Sequence, residues 1–238
     1  TVVGSSRRHR EGGHALPDDN GLQDRIRSIH ELLIATYGTR TWFEHDPLDT
    51  LMLTILSQNT NDVNRDRAFV TLRERFATWE DVRDAPAEQV IDAIRIAGLA
   101  NQKGPRMQDA LAISTGRAGS LDLGFLRHME MEAARQWLTA IKGVGPKTAA
   151  IVLCFSFGRP AFPVDTHVHR VTKRIGLIGP KTTREQAHVV LERLVPAEYC
   201  YDLHLNLIEH GRHVCKAGRP LCESCTIRPF CDYIQMGL

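Results

Sequence analysis

The stretch LTAIKGVGPKTAAIVLCFSFGRPAFPVDTHVHR, residues 138–170, decides the fold. A helical apolar period ends near Ile141, Gly143-Val144-Gly145 must turn the chain, and a new helix can begin at Pro146, where a missing N–H costs nothing. Glycine tolerates positive φ and lets another backbone approach closely, so the amides of the turn and of the helix start can point outward together. The pattern predicts a helix-hairpin-helix that grips a nucleic-acid backbone.

Two chemically useful side chains lie at the starts of the helices in this stretch. Lys147 falls in a first helical turn, where the macrodipole disfavours a cation, so it either contacts phosphate or acts as a nucleophilic amine. Asp165 in Pro-Val-Asp-Thr-His is typical of an N-cap. A carboxylate there could also face Lys147 across a cleft, where it would move protons or stabilise positive charge developing on a sugar.

The charge around these two residues is strongly one-sided, although the whole chain carries only +2. Between residues 142 and 181 the single acid is Asp165. The seven cations of this segment are Lys142, Lys147, Arg159, Arg170, Lys173, Arg174 and Lys181. Such a local excess suits phosphate groups, and the alternative is a solvated basic surface.

The composition is that of a globular protein. With 238 residues and 42% hydrophobic residues, the chain can bury one large core or two modest ones. The sequence has no apolar run of about 18 residues, and TVVGSSRRHREGGH at the start lacks the apolar stretch of a secretory signal. We therefore expect no membrane partner and an intracellular location. Because the first residue is Thr1, a removed upstream piece and a transit peptide both remain open.

Hydrophobic periodicity predicts an all-α chain of about ten helices, with no alternating strand pattern and no internal repeat. Residues 1–20 have no such period and are predicted to form a flexible basic arm. The first helix begins near Leu22, and a helix carrying Phe69, Leu72 and Phe76 follows the polar loop SQNTND. The other predicted helices cover about 48–56, 86–98, 101–115, 129–141, 146–157, 166–175, 183–195 and 197–211.

The end of the chain carries a compact group of cysteines with the spacing C-x6-C-x2-C-x5-C. These residues are Cys215, Cys222, Cys225 and Cys231. Four thiolates on one loop can bind tetrahedral zinc or a [4Fe–4S] cluster. Zinc modules more often use two separated C-x2-C pairs, and the single pair here favours the cluster. Cys154 and Cys200 lie on apolar helix faces and are predicted to be ordinary core residues.

The hairpin, the lysine, Val-Asp-Thr-His and the terminal cysteine loop together resemble the endonuclease III family of base-excision DNA glycosylases, over about residues 22–238. The resemblance implies two helical domains with a DNA-binding cleft between them. One is a six-helix barrel with the helix-hairpin-helix, residues 41–159. The other is a [4Fe–4S] cluster domain built from both termini, residues 21–40 and 160–238.

The resemblance also implies a function. Lys147 corresponds to the nucleophile of the family and Asp165 to its carboxylate. The protein would be a bifunctional glycosylase and AP lyase, a monomer that binds double-stranded DNA containing a damaged base or an abasic site. It would remove oxidised pyrimidines through a lysine Schiff base and nick the strand 3′ to the site. Its location would be with the DNA, the bacterial cytoplasm first, with an organelle or the nucleus left open.

The further DNA contacts that the resemblance implies include the hairpin residues Gly143, Val144 and Gly145. The family commonly has Leu-Ser-Ala-Gln-Ala-Thr-Asp where this chain has LSQNTND, residues 56–62. The residue that fills the gap left by the flipped nucleotide would then be Asn59, or Gln58 if the loop shifts. Leu99 in AGLANQK would be a second wedge, and Lys216 and Arg219 on the first cysteine loop would face a phosphate.

Two other functions remain open from the sequence. A relative that excises adenine or thymine from mismatches generally lacks a lysine at the position of Lys147. A non-catalytic protein could use the hairpin and the cluster only to recognise DNA structure. Borohydride trapping of a lysine adduct separates the latter reading from a lyase.

Overall fold

The computed structural model describes residues 19–235, and within them it has helices and turns but no β-strand, which confirms the all-α prediction. The predicted basic arm lies outside the described residues, except that Asp19 and Asn20 already belong to the first helix. The α-helices of the described part are α1 Asp19–Tyr37, α2 Pro47–Leu56, α3 Asp62–Arg75, α4 Trp79–Asp84, α5 Ala87–Ala93, α6 Ala100–Ala118, α7 Met131–Thr139, α8 Pro146–Ile151, α9 Thr166–Arg174, α10 Arg184–Leu194, α11 Cys200–His213 and α12 Asp232–Gln235.

Local sequence signals fix the ends of several helices. Thr183 and Gln186 form the predicted capping box at the start of α10. The helix predicted over residues 86–98 is shorter, because α5 ends at Ala93 and a 3-10 turn, Arg95–Ala97, follows. Gly98 then ends this segment with a φ of 67°, a value that costs glycine little.

The helix predicted over residues 146–157 is an α-helix only as far as Ile151 and continues as a π-helical turn, Val152–Ser156. The wider turn leaves carbonyl oxygens available to other groups. The indole N–H of Trp42 donates to the carbonyls of Cys154 and Phe155, at 3.0 Å each. These two hydrogen bonds hold the segment between α1 and α2 against the π-helical turn that follows α8.

The helices pack in two sets that share one apolar core. Helix α1 packs on α10 and α11, and α11 packs on α9, so the first described helix lies among the last ones. Helices α2 to α8 pack mainly on one another. Ile26, Ile29 and Leu33 of α1 are fully buried, as their spacing predicted, and Cys154 and Cys200 are core residues. No helix within residues 19–235 has the length and apolar character that a membrane span requires.

Candidate active site

The hairpin between α7 and α8 adopts a tight turn. Gly143 has a φ of 86°, and Val144 is buried with its N–H donating to the Ile141 carbonyl at 3.0 Å. Gly145 instead has an extended backbone, with a φ of −96°, and caps α8. A side chain at Gly145 would meet only open space, so this glycine leaves room for a group from outside. Positive φ is therefore needed at Gly143 and not at Gly145.

Close packing also favours glycine at position 143, which the sequence did not show. A Cβ at this position would overlap the side chain of Arg106, which passes directly over the turn. The guanidinium of Arg106 also donates from Nη1 to the Gln58 Oε1 at 2.6 Å. One arginine of α6 thus contacts both the hairpin and the loop that follows α2.

Lys147 is the second residue of α8, directly after Pro146, and is half-buried. Within residues 19–235 its Nζ forms no hydrogen bond and no ion pair. Asp165 is the N-cap of α9, as predicted, and its Oδ1 accepts the Val168 N–H at 2.7 Å. In the same part of the chain the second oxygen of Asp165 accepts no hydrogen bond. Each residue therefore keeps a reactive atom free.

A buried histidine shows that these two residues share one neighbourhood. Burial lowers the pKa of the His204 imidazole to about 4. The Asp165 carboxylate opposes this shift of the His204 pKa, and the Lys147 ammonium strengthens it. Both charges thus lie within electrostatic range of one uncharged ring. The starts of α8 and α9 therefore both lie close enough to His204 for their charged residues to act on its pKa.

A network of polar residues behind the site holds the extended segment that leads to Asp165. The Phe162 N–H donates to Glu192 Oε1 at 3.1 Å, and the Phe162 carbonyl contacts His188 Nδ1 at 3.1 Å. The Pro163 carbonyl contacts His204 Nδ1 at 2.9 Å. Sequence reasoning missed this network. Its one visible signal is that His188 and Glu192 stand four residues apart on a helix whose inner face is otherwise apolar.

Arg135 of α7 anchors the same network. Its guanidinium makes two hydrogen bonds to the Glu192 carboxylate, at 3.1 and 2.6 Å, and only 18% of its side chain is exposed. A two-pronged arginine–carboxylate pair fixes orientation as well as distance. Helix α7, which enters the hairpin, is thereby tied to α10, which supports Asp165.

Both predicted wedge loops carry a residue in the left-handed backbone region. Asn59 has a φ of 52° and is exposed, and Leu99 has a φ of 50° with 47% of its surface exposed. A leucine with half its surface in water and a strained backbone is unusual in a folded protein. Gln58 is half-buried and held by Arg106, so Asn59 is the freer of the two predicted candidates.

The basic segment is less available than its charge suggested. Arg159 donates to the carbonyls of Leu126 and Met129, at 3.0 and 2.6 Å. Arg170 donates to the carbonyls of Gly211 and Cys215, at 2.8 and 2.9 Å. These arginines hold backbone inside the fold. The local charge excess therefore overestimated the number of cations that could meet a phosphate.

The four cysteines of the terminal loop line one cavity of about 350 Å³, a figure that includes space open to solvent. Burial, together with the three neighbouring thiols, raises the pKa of the Cys225 thiol to about 11. His210 Nε2 lies 3.4 Å from Cys225 Sγ, and its Nδ1 lies 3.0 Å from the Tyr37 hydroxyl. Among residues 19–235, no three His, Cys, Asp or Glu side chains converge on a point where a single metal ion could bind.

The first cysteine loop is attached to α9, the helix that begins at Asp165. Arg174 donates to the Lys216 and Ala217 carbonyls at 2.8 and 3.1 Å, and to Cys215 Sγ at 3.3 Å. Its guanidinium also lies over the Tyr233 ring, 4.7 Å from the centroid. The side chains of Lys216 and Arg219 are exposed on this loop.

Known proteins share both the sequence and the fold. Residues 52–197 match the HhH-GPD superfamily of base excision DNA repair proteins. Endonuclease III of Sulfolobus acidocaldarius is 36% identical over 77% of this chain and 81% of its own length. Endonuclease III of Thermotoga maritima is 33% identical over 81% of this chain and 85% of its own length.

A solved structure extends the likeness to almost the whole chain. It is a trapped covalent intermediate of endonuclease III with DNA, an estranged-adenine complex. It superposes with a TM-score of 0.77 at 27% identity and covers 90% of this chain and 98% of that one. The chain belongs to the HhH-GPD superfamily of base excision DNA repair proteins, and it is a DNA glycosylase of the endonuclease III type.

Proposed function

We propose that the protein is a bifunctional DNA glycosylase and AP lyase that removes oxidised pyrimidines from duplex DNA. The observation that carries the proposal is that an unpaired amine, Lys147, and a carboxylate with one free oxygen, Asp165, both act on the pKa of one buried imidazole, His204. The covalent intermediate named for the structurally similar endonuclease III supports a mechanism with an enzyme–DNA bond.

The chemistry begins with the damaged nucleotide turned out of the helix, because its C1′ atom cannot be reached inside a duplex. The unprotonated Nζ of Lys147 attacks C1′, the C1′–N bond to the base breaks, and the base leaves with the electron pair and takes up a proton. Ring opening gives a Schiff base between Lys147 and C1′. Loss of a C2′ proton then expels the 3′ phosphate by β-elimination, which nicks the strand.

Asp165 serves this sequence in two ways. Its charged carboxylate stabilises the positive charge that develops on the sugar as the base departs. Its free oxygen can also accept a proton from the Lys147 ammonium before or after the attack. His204 remains uncharged beside them because of its low pKa, so it does not neutralise the carboxylate.

The DNA would lie across the face that the hairpin and the two left-handed loops share. The amides around Gly143, Val144 and Gly145 would bind phosphate, which fixes the position of the protein on the strand. Asn59 and Leu99 would fill the gap left by the extruded nucleotide, with Gln58 supporting Asn59. Lys216 and Arg219 would add phosphate contacts from the cysteine loop.

In this proposal the cleft separates two domains, residues 41–159 and residues 21–40 with 160–238. The two packing sets of helices support the division. Arg212 of α11 pairs with Asp62 of α3 at 2.7 Å, so one ion pair would bridge the two domains near the first wedge loop.

The cysteine loop would hold a [4Fe–4S] cluster through Cys215, Cys222, Cys225 and Cys231. All four residues line one cavity, and four thiolates on one loop are the ligands that such a cluster uses. When bound, the cluster would supply a rigid cross-link between the four thiolates. His210 would donate a hydrogen bond to the Cys225 sulfur, and Arg174 would do so to Cys215.

The purified protein should be yellow-brown and contain about four irons and four sulfides per chain. Cys222→Ser should lose the iron and lower the melting temperature, because the cluster would no longer cross-link the loop between α11 and α12. Cys200→Ser is the matched control, since this cysteine is buried away from the cavity and should leave the iron content unchanged. A colourless protein with one zinc per chain would exclude the cluster.

The function is tested with three duplexes that differ at one position, which holds thymine glycol, an abasic site or an adenine–guanine mismatch. We expect base removal and a nick at thymine glycol, a nick at the abasic site, and a covalent adduct with both in the presence of borohydride. Base removal only at the mismatch, without an adduct, would identify a mismatch glycosylase. Binding without any cleavage would identify a recognition protein.

A further inference from the structure

The most deeply buried charged side chain of the described residues belongs to Lys103, on the first turn of α6. It is 1% exposed, and its ammonium donates to the carbonyls of Leu56 and Ala97, at 2.8 Å each. Burial lowers the pKa of this lysine. Within residues 19–235 no carboxylate pairs with it. Burying an ammonium without a carboxylate partner costs free energy, which its two hydrogen bonds must offset.

The two carbonyls that Lys103 holds have a property in common. Leu56 is the last residue of α2 and lies three residues before Asn59. Ala97 ends the 3-10 turn and lies two residues before Leu99. Asn59 and Leu99 are the two non-glycine residues with positive φ in the described part of the chain. The Lys103 ammonium therefore bonds the backbone just before each of the two residues with positive φ, Asn59 and Leu99.

Strained backbone of this kind persists only where the surrounding structure holds it in place. Both side chains, Asn59 and Leu99, are exposed, so little packing of their own holds these backbone conformations. A group that bonds the backbone before both residues also fixes the distance between the loops. Arg106, one turn further along α6, reinforces the first loop through Gln58.

We propose that Lys103 is a positioning residue that sets the two loops at a fixed spacing, so that Asn59 and Leu99 enter the duplex together at the damaged nucleotide. The inference rests on the proposed function, because it assumes that these loops enter DNA. The ordering of both loops then precedes binding, and the strain is not added to the cost of recognising the lesion.

The test compares the affinity for a duplex that contains tetrahydrofuran, a stable abasic analogue, with that for the same duplex without it. Lys103→Met removes both hydrogen bonds and keeps the volume. Gln108→Met is the matched control on the same helix. Gln108 Nε2 donates to the carbonyls of Val82, Arg83 and Ala85, at 3.0, 3.3 and 2.8 Å, remote from both loops. Both variants should melt at a lower temperature than the wild type.

Only Lys103→Met should lose discrimination. We expect its preference for the tetrahydrofuran duplex to fall about tenfold, since each released loop must again be ordered on binding. Its affinity for intact duplex should be unchanged, because the hairpin and the basic residues remain. Gln108→Met should keep the wild-type preference for the tetrahydrofuran duplex even where its melting temperature falls as much as that of Lys103→Met.

Two results would overturn the inference. One is that Lys103→Met keeps the wild-type preference for the tetrahydrofuran duplex. The other is that both variants lose this preference equally, which would attribute the loss to lower overall stability. Should Lys103→Met fail to fold, Lys103→Gln replaces it under the same criterion, because its shorter amide reaches one carbonyl at a time. A wild-type protein that does not prefer the tetrahydrofuran duplex would reject the proposed function itself, and so the two failures are distinguishable.

Discussion

Replacing Lys147 with glutamine should abolish both strand nicking and borohydride trapping while the protein still binds duplex DNA containing a lesion. The amide nitrogen of glutamine is not nucleophilic and cannot form a Schiff base. Binding should survive because the contacts to phosphate come from the hairpin amides and from other cations. The fold should survive as well, since removing a cation from the first turn of α8 relieves an unfavourable interaction with the helix dipole.

Lys142→Gln is the matched control for this experiment. Lys142 lies on the same hairpin, five residues before Lys147, and is exposed. The substitution removes the same charge from the same surface but leaves the nucleophile in place. We expect Lys142→Gln to form the borohydride-trapped adduct with an abasic duplex as the wild type does. The adduct is measured by gel electrophoresis. A trappable adduct with Lys147→Gln would show that another amine carries the reaction. Equal loss of trapping in both variants would show that the positive charge of the hairpin, and not the nucleophile, accounts for the effect.

The parts of the structure that the sequence predicted depend on short-range signals. The 3.6-residue period of Ile26, Ile29 and Leu33 marked the buried face of α1, and the capping box at Thr183 marked the start of α10. Asp165 could be placed at a helix start for the same reason, because an N-cap bonds its own chain three residues later. Each of these signals involves only residues a few positions apart in the sequence, so it can be recognised without knowing the tertiary structure.

The parts that it did not predict depend on which helices pack together. Lys103 stands among polar neighbours in ANQKG, a pattern that indicates an exposed face, yet its ammonium bonds two distant carbonyls inside the fold. Arg174 looked like a phosphate ligand and instead holds the cysteine loop. A long cationic side chain can extend either to water or to a carbonyl inside the fold, so its sequence position does not reveal its partner.

The polar network behind the site also depends on which helices pack together, and so it was not predicted. His188, Glu192 and His204 meet the extended segment before Asp165 only because α10 and α11 pack against it. Their spacing on each helix indicates a buried polar residue but not what it contacts. The sequence could therefore indicate the two residues proposed for the chemistry and not the residues that hold them in position.

Asp165→Asn should lower the rate of base removal by about 100-fold or more while leaving the melting temperature near that of the wild type. Asparagine is as good an N-cap as aspartate, so the bond to the Val168 N–H should remain. The amide, however, carries no charge to stabilise the sugar cation and accepts no proton from Lys147. His204 offers no substitute, because burial holds its pKa near 4 and its ring uncharged.

Asp46→Asn separates the chemistry from the cap. Asp46 caps α2 in the same way, accepting the Asp49 N–H at 2.8 Å, and it is exposed. The same exchange there should leave both single-turnover base removal on a thymine glycol duplex and the melting temperature unchanged. If Asp165→Asn were fully active but melted at a lower temperature, the carboxylate would be a helix cap alone. If Asp165→Asn instead removed the base more slowly at an unchanged melting temperature, the negative charge of Asp165 would take part in the reaction, because aspartate and asparagine differ in charge and not in their ability to cap the helix.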